Sequence, residues 1–456
     1  MPPRSRGRRA PGLARSAIPM HLLVARPRGA LHGELPIPPS KYHAHRALML
    51  AALADGESTI VERSSARHVA FTVQALRALG TRIGSAGAGW RVRGGGFSPR
   101  SGEVSVGSSG TTLYFLLGLA SLADRPVRFV GQRYFRRRPL GPLLRALERL
   151  GVRLAHEQQS LPVTVYPGPP RGGRVRIDGT LSQWISGLLM LAPFALEETV
   201  IEIRGELNER PYLALTIEMM RQFGLEVLVR EDWREFTVPP GQRPRPAHVV
   251  LPPDVGCAVF GLAACALHPA QVRFHSRAPI AGHPEASVLD ALQAAGVPMR
   301  FGADQRSILI DHDGTPPAGG ALDCRDIPDM VPILSVLASR ARGRSVLGHV
   351  AHVRLKESDR VRSMLQLRRM GARVEFDGND LVFEGVRELH GARLSSFNDH
   401  RVLMSLTVAG SSATGLTEIT YPHAYRISYP EFLDHMNALG IPARVSSELL
   451  PALLAR

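Results

Sequence analysis

Only two of the 56 lysine and arginine residues in this 456-residue chain are lysine, Lys41 and Lys356. An exposed cation can be of either type, but a compact ammonium whose pKa moves readily on burial cannot be replaced by a planar guanidinium. The two lysines therefore mark candidate chemistry. Lys41 stands in PPSKYHAHRALML (38–50), and Lys356 opens the dense run Lys356-Glu357-Ser358-Asp359-Arg360. The chain adds Arg46, a polar loop from Ser108 through Gly110 to Thr112, Arg138, the pair Ser182-Gln183, Asp329, and His400 with Arg401. Fixed cations beside a few carboxylates suit small anionic substrates and proton transfers between them. Each feature also has a plainer reading. Alternating charge is usually a solvated helix start, and GSSGTT (107–112), without a nucleotide-loop lysine, reads as a capping turn. RRRP (136–139) can be a solvated turn, Glu357 an arginine's partner, and Asp329 and His400-Arg401 helix caps. Their joint placement favours chemistry.

Most of these residues fall at the starts of one class of helix. Six segments are apolar nearly all round: 45–54, 112–123, 182–196, 258–267, 330–338 and 400–410. Helices without a polar face are buried. Each follows a polar loop: SKYHA, GSSGT, DGTL, PDVG, RDIPD or FNDH. Interleaved with them, an amphipathic helix pattern, a glycine and a short strand recur at Gly80, Gly151, Gly224, Gly296, Gly371 and Gly440. Subtraction gives gaps of 71, 73, 72, 75 and 69 residues. Glycine just past a helix is the expected left-handed cap. The unit is thus one buried and one surface helix with strands between, too long for a solenoid slice. Proline-rich PIPPS (36–40) precedes the first unit, and VPPGQRPRPAH (238–248) separates the third from the fourth. Such stretches deny a central strand and stiffen a connection. The parse is two α/β domains of three units across a cleft. Helix N-termini aimed into that cleft would make it electropositive.

Composition narrows the class. With 44% hydrophobic and 21% charged residues the chain reads as an ordinary soluble protein. It has no apolar run of the roughly 18–20 residues that would span a bilayer. Residues 1–19 hold five arginines, no acid and no apolar segment, which excludes a secretory signal. They are read as part of a disordered basic extension over 1–20, upstream of a second start at Met20. Cys257, Cys265 and Cys324 lack CxxC spacing, excluding a disulfide scaffold and a zinc ribbon and fitting a reducing cytoplasm. A net charge of +16 could serve nucleic acid, but aromatics are only 6% and the arginines are dispersed. The expected partners are small polyanionic substrates, with no nucleic acid and no membrane, acting on a monomer.

Taken in order, the motifs resemble the 5-enolpyruvylshikimate-3-phosphate synthase (3-phosphoshikimate 1-carboxyvinyltransferase) family over roughly residues 21–445. They are SKxxxxRALxLAAL at 40–53, GxxGT at 107–111, RPLGPLLxALxxLG at 138–151, SQ at 182–183 and PYLxLTxxMMxxFG at 211–224. DIPD at 326–329, LKESDR at 355–360 and NDHR at 398–401 complete the series, and the last two in this order are highly specific. The resemblance implies an α/β fold of two domains, each of three βαβαββ repeats, in an inside-out barrel. The strand near 21–35 would join the C-terminal domain, making the domains 40–246 and 21–39 plus 247–456. It also implies cytoplasmic enolpyruvyl transfer in the shikimate pathway, from phosphoenolpyruvate to the 5-hydroxyl of a shikimate-type ring, with neither metal nor organic cofactor. Arg138, Arg360 and Arg401 would clamp phosphoenolpyruvate beside Gly110 and Gln183. Lys41, Asp329 and Glu357 would be catalytic, with the acid and base roles of the carboxylates unassigned. Arg46 would hold the ring carboxylate, Ser182 and Lys356 the ring phosphate, with Tyr212 nearby and Ser108 and His400 as further candidates. The related UDP-N-acetylglucosamine enolpyruvyltransferase is disfavoured, because its loop cysteine has no counterpart in 132–144.

The departures cluster. Where the family usually has serines, this chain has Tyr42, Leu181 and Glu209; Ser108 replaces an asparagine, and Ile427 a lysine that some members lack. Glu209 weighs most. Two like charges ~4 Å apart at an effective dielectric near 20 repel by about 4 kcal/mol, roughly a thousandfold in affinity. The ring-phosphate pocket is therefore expected to be altered and the phosphoenolpyruvate clamp intact. An alternative follows, a paralogue acting on an unphosphorylated shikimate-type acid, by elimination for example.

Overall fold

A computed structural model describes residues 20–132, 135 and 138–447. The extension expected over 1–20 lies outside the described residues except for Met20, as do Arg136 and Arg137 of the basic turn. Helices α1 (Lys41–Leu53), α2 (Arg67–Ala78), α3 (Gly110–Leu119), α4 (Gly141–Arg149), α5 (Ser182–Leu191) and α6 (Arg210–Gln222) belong to one half. The other holds α7 (Val255–Leu267), α8 (Ser287–Ala294), α9 (Val331–Arg340), α10 (Arg360–Leu365), α11 (His400–Ser411) and α12 (Phe432–Ala438). Odd-numbered helices are the apolar ones and are buried almost throughout; even-numbered ones bury a single face. A fully buried leucine is worth roughly 1.5–3 kcal/mol, so the leucine-rich α3 and α5, packed on each other, anchor the first core. The six repeat glycines all have positive φ, from 76° at Gly224 to 98° at Gly80, the left-handed cap that an L side chain resists.

Among the described residues the strands form six four-stranded sheets and one two-stranded ladder. Each four-stranded sheet has one parallel pair and is otherwise antiparallel. Two apolar cores result, one built from residues between Tyr42 and Leu251, the other from Leu22–Ile37 and residues between Val255 and Ala443. The N-terminal strand His21–Val24 inserts between Thr417–Thr420 and Ala443–Ser446, and Leu31–Pro36 pairs with Pro269–His275. From His21 onward the chain runs in the second core, crosses to the first, and crosses back.

The crossings lie side by side in proline-rich backbone. Ser40 N donates to Pro252 O (2.8 Å) and Asp254 N to Pro38 O (2.7 Å). The return crossing falls later than the sequence boundary at 246. Strand His248–Val250 pairs with Glu57–Val61, and Val249 and Leu251 pack in the first core. The physical reason is the sheet edge: His248–Val250 satisfies backbone groups of Glu57–Val61 that would otherwise be unpaired.

Candidate active site

The helix starts deliver their side chains to one chamber between the cores. Gly110 and Thr111 open α3, Ser182 and Gln183 open α5, Lys41 and Tyr42 open α1, and Asp329 precedes α9. The local causes are readable. Ser109 caps α3 by accepting from Thr112 N, and Asp399 caps α11 by accepting from Arg401 N and Val402 N. Asp359 caps α10, which carries Arg360. Asp329 is not a cap: its own N–H donates to Glu285 Oε1 (3.1 Å), and its carboxylate is left for the chamber.

One end of the chamber is an arginine clamp. Arg360 is fully buried and donates from Nη1 to Asp329 Oδ1 (2.6 Å), Nη2 to Glu357 Oε2 (2.9 Å) and Nε to Asp399 Oδ2 (3.0 Å). Arg138 Nη2 lies 2.6 Å from Glu357 Oε1, a contact between the two cores. A Cβ at Gly110 would come within 2.5 Å of Arg138 Nη1, so a side chain there would push that guanidinium aside. Arg401 donates to Gly256 O and to the Tyr42 hydroxyl (2.7 Å) and stands 3.5 Å from Asp329. Burial alone would raise the Asp329 carboxyl, but Arg360, Arg401 and Lys41 hold it well below the usual range. Arg138 and Arg360 likewise hold Glu357 down against burial. Both acids are therefore ionised near neutrality. Burial first, and Arg401 second, lower the Lys41 ammonium below its ordinary value.

At the other end stand Ser182, Glu209, Tyr212 and Lys356. The Glu209 carboxylate accepts from Ser182 N (3.1 Å) and Ser182 Oγ (2.5 Å) and forms an ion pair with the Lys356 ammonium. Burial pushes its pKa up, but Lys356, His352 and Ser182 prevail and leave it lowered. Glu209 has not turned out of the pocket.

The remaining candidates divide. Gln183 Nε2 donates to Thr111 Oγ1 (2.8 Å) at the chamber wall. Arg46 lines the chamber, yet its donors serve Thr216 Oγ1 (2.7 Å), Tyr42 O (3.0 Å) and Tyr212 O (3.3 Å). Tyr42, one helical turn before Arg46, sends its hydroxyl to Asp329 Oδ2 (2.5 Å) and Glu285 Oε2 (3.3 Å), because the phenol is long enough to reach the clamp. Ser108 and Ile427 line a wider opening of the same cleft, where Ser108 Oγ meets His68 Nε2 (3.2 Å). His400 packs edge-on to His68, with its pKa held well below the ordinary value by burial and by Lys41. Sequence reasoning missed His68, Asp254 and Glu285. Asp254 had a signal in the loop PDVG before α7: it caps that helix and accepts from Lys41 N (3.1 Å). His68 and Glu285 had none, since their positions depend on the packing of the two cores.

This architecture, two cores of three α/β units around a chamber of arginines and acids, defines an enolpyruvyl transferase fold. The EPSP synthase of Acinetobacter baumannii superposes with a TM-score of 0.76 at 24% identity, covering 93% of this chain and 100% of that one. The enolpyruvyl transferase NikO from Streptomyces tendae gives 0.75 at 18% identity, covering 94% and 99%. The family model for EPSP synthase (3-phosphoshikimate 1-carboxyvinyltransferase) matches residues 25–436, and the chain belongs to that family. Relatives named 3-phosphoshikimate 1-carboxyvinyltransferase include those of Methanocaldococcus jannaschii, 32% identical over 428 residues, and Methanocorpusculum labreanum, 34% identical over 435. The matches span 92% and 93% of this chain and 99% and 100% of those proteins. No described helix is long and apolar enough to cross a membrane.

Proposed function

We propose that the protein transfers the enolpyruvyl group of phosphoenolpyruvate to the 5-hydroxyl of shikimate 3-phosphate or a close analogue and releases phosphate. The observation carrying this reading is the clamp: Arg138, Arg360 and Arg401 buried around two ionised carboxylates. Phosphoenolpyruvate brings a carboxylate and a phosphate, and preorganised guanidiniums hold both without reorganising during the reaction. The acceptor hydroxyl adds to C2 as C3 takes a proton; phosphate then leaves C2 and a C3 proton is lost, restoring the double bond.

Positions suggest the division of labour. Asp329 lines the chamber shared with the acceptor-end residues and is assigned the base at the acceptor hydroxyl. Glu357 bridges Arg138 and Arg360 and is assigned the acid at C3. Phosphoenolpyruvate held by those arginines would add negative charge beside Glu357, raising its pKa as substrate binds and letting it carry a proton. Lys41, its ammonium already made more acidic, stands near Asp329, Glu357 and Arg401 and steadies charge developing at C2. Ser182, Tyr212, Arg46 and Lys356 are assigned to the acceptor.

Both halves of the chamber come from one chain, which supports a monomer. Three free, buried cysteines support the cytoplasm. The test is phosphate release from phosphoenolpyruvate with shikimate 3-phosphate and with shikimate. Background rates with both would overturn the proposal.

A further inference from the structure

The acceptor end contains an anion-holding set whose occupant belongs to the protein. The set comprises the Ser182 amide at the start of α5, the Ser182 hydroxyl and the Lys356 ammonium, converging from both cores. A free helix start, a hydroxyl and an ammonium together would receive an anionic substituent. Here all three are engaged by the Glu209 carboxylate. Leu181, at the cap position of α5, offers no side-chain acceptor, so Glu209 supplies one from outside the helix.

Glu209 is not placed to step aside. Only 1% of its side chain is accessible, and its backbone is left-handed with φ 62°, a region a glutamate adopts only when its surroundings impose it. Glu209 N donates to Arg325 O (3.2 Å), and Arg210 N to Asp326 Oδ1 (2.9 Å), both in the opposite core. The residue is thus held by backbone contacts from both sides of the cleft. A phosphate here would lie against a buried carboxylate with the lysine already neutralised. A hydroxyl would fit, donating to Glu209 while accepting from Ser182 or Lys356.

We propose that Glu209 is the specificity-determining residue of the acceptor subsite, and that the acceptor presents an uncharged hydroxyl, rather than a phosphate, to Ser182, Glu209 and Lys356. This rests on the enolpyruvyl-transfer reading and departs from the acceptor in the relatives' names, replacing the phosphorylated ring with a shikimate-type acid lacking that phosphate. The chain supplies the negative charge that the substrate otherwise would.

The test compares wild type, Glu209→Gln and Glu209→Ser with shikimate and shikimate 3-phosphate, by phosphate release and by calorimetric titration in the presence of phosphoenolpyruvate. Wild type should favour shikimate. Glu209→Ser should move the ratio of kcat/KM toward shikimate 3-phosphate by up to about a thousandfold, the value of one like-charge contact removed. Glu209→Gln keeps the size and removes the charge, and should move it the same way by less. Wild type preferring shikimate 3-phosphate, or variants leaving the ratio unchanged while only stability shifts, would overturn the inference and leave the transfer reading standing. If no enzyme releases phosphate, the transfer reading fails, and the titrations still decide the inference: variants binding shikimate 3-phosphate no better than wild type would sink it.

Discussion

At the clamp end, Glu357 and Asp329 keep 17% and 11% of their side chains accessible, and each touches two arginines. At the acceptor end, Glu209 keeps 1% and meets a single lysine. Pairing buried acids with buried cations is common to both, but the outcome differs. Shared, partly accessible carboxylates can exchange partners and protons with a substrate. A sealed carboxylate with its own ammonium neutralises a pocket for good. The same residue types therefore make a reactive centre in one place and a filter in the other, and access is what separates them.

The largest expected effect comes from Arg360→Met, which removes one of two arginines from Asp329 and from Glu357 and the arginine paired with Asp399. Leaving buried charges unpaired costs about 3–5 kcal/mol, so denaturant melts should show a loss of that size together with loss of phosphate release. Lys356→Met uncovers only Glu209 and should cost less; equal losses would break the contrast between the ends. Next is Asp329→Asn, expected to lower kcat about 10²–10⁴-fold as the loss of an acid–base group, with a smaller loss of stability than Arg360→Met because Arg360 keeps Glu357 and Asp399.

Acid should separate the ends more gently. Asp254 is lowered from its ordinary 3.8 to about 2, against burial, by its hydrogen bond to His283 and by Arg401 and Lys41. A depressed carboxyl stabilises the fold above its unfolded pKa and loses that contribution as pH falls through the folded one. About 2 kcal/mol should thus disappear between about pH 4 and pH 2, and Asp254→Asn should flatten that part of the stability curve. The smallest effect belongs to Gly110→Ala. Its methyl would displace the Arg138 guanidinium, and KM for phosphoenolpyruvate should rise roughly tenfold, about 1.4 kcal/mol, with the acceptor KM unchanged. A rise in the acceptor KM instead would mean the two ends are not separate subsites.

Much of this was legible in the chain. The repeat glycines, the apolar helices and the polar loops before them are local signals, set by backbone sterics and side-chain periodicity within a dozen residues. Because the chemistry sits at those helix starts, the sequence singles out Lys41, Gly110, Arg138, Ser182, Gln183, Asp329, Lys356 and Glu357, which line the chamber, and Arg360, which binds Asp329. Glu209 was flagged as a change of charge, but its direction was open.

Tertiary structure decided the rest. Which cation Glu209 would meet, that the Tyr42 hydroxyl would reach Asp329, that Glu285 would hold the Asp329 amide and that His68 would join the wall depend on contacts between residues far apart in the chain. So does the return crossing beyond Leu251, fixed by the pairing of His248–Val250 with Glu57–Val61. Sequence spacing determines which face of a helix a side chain occupies. Its partner across the cleft is set only when the two cores close.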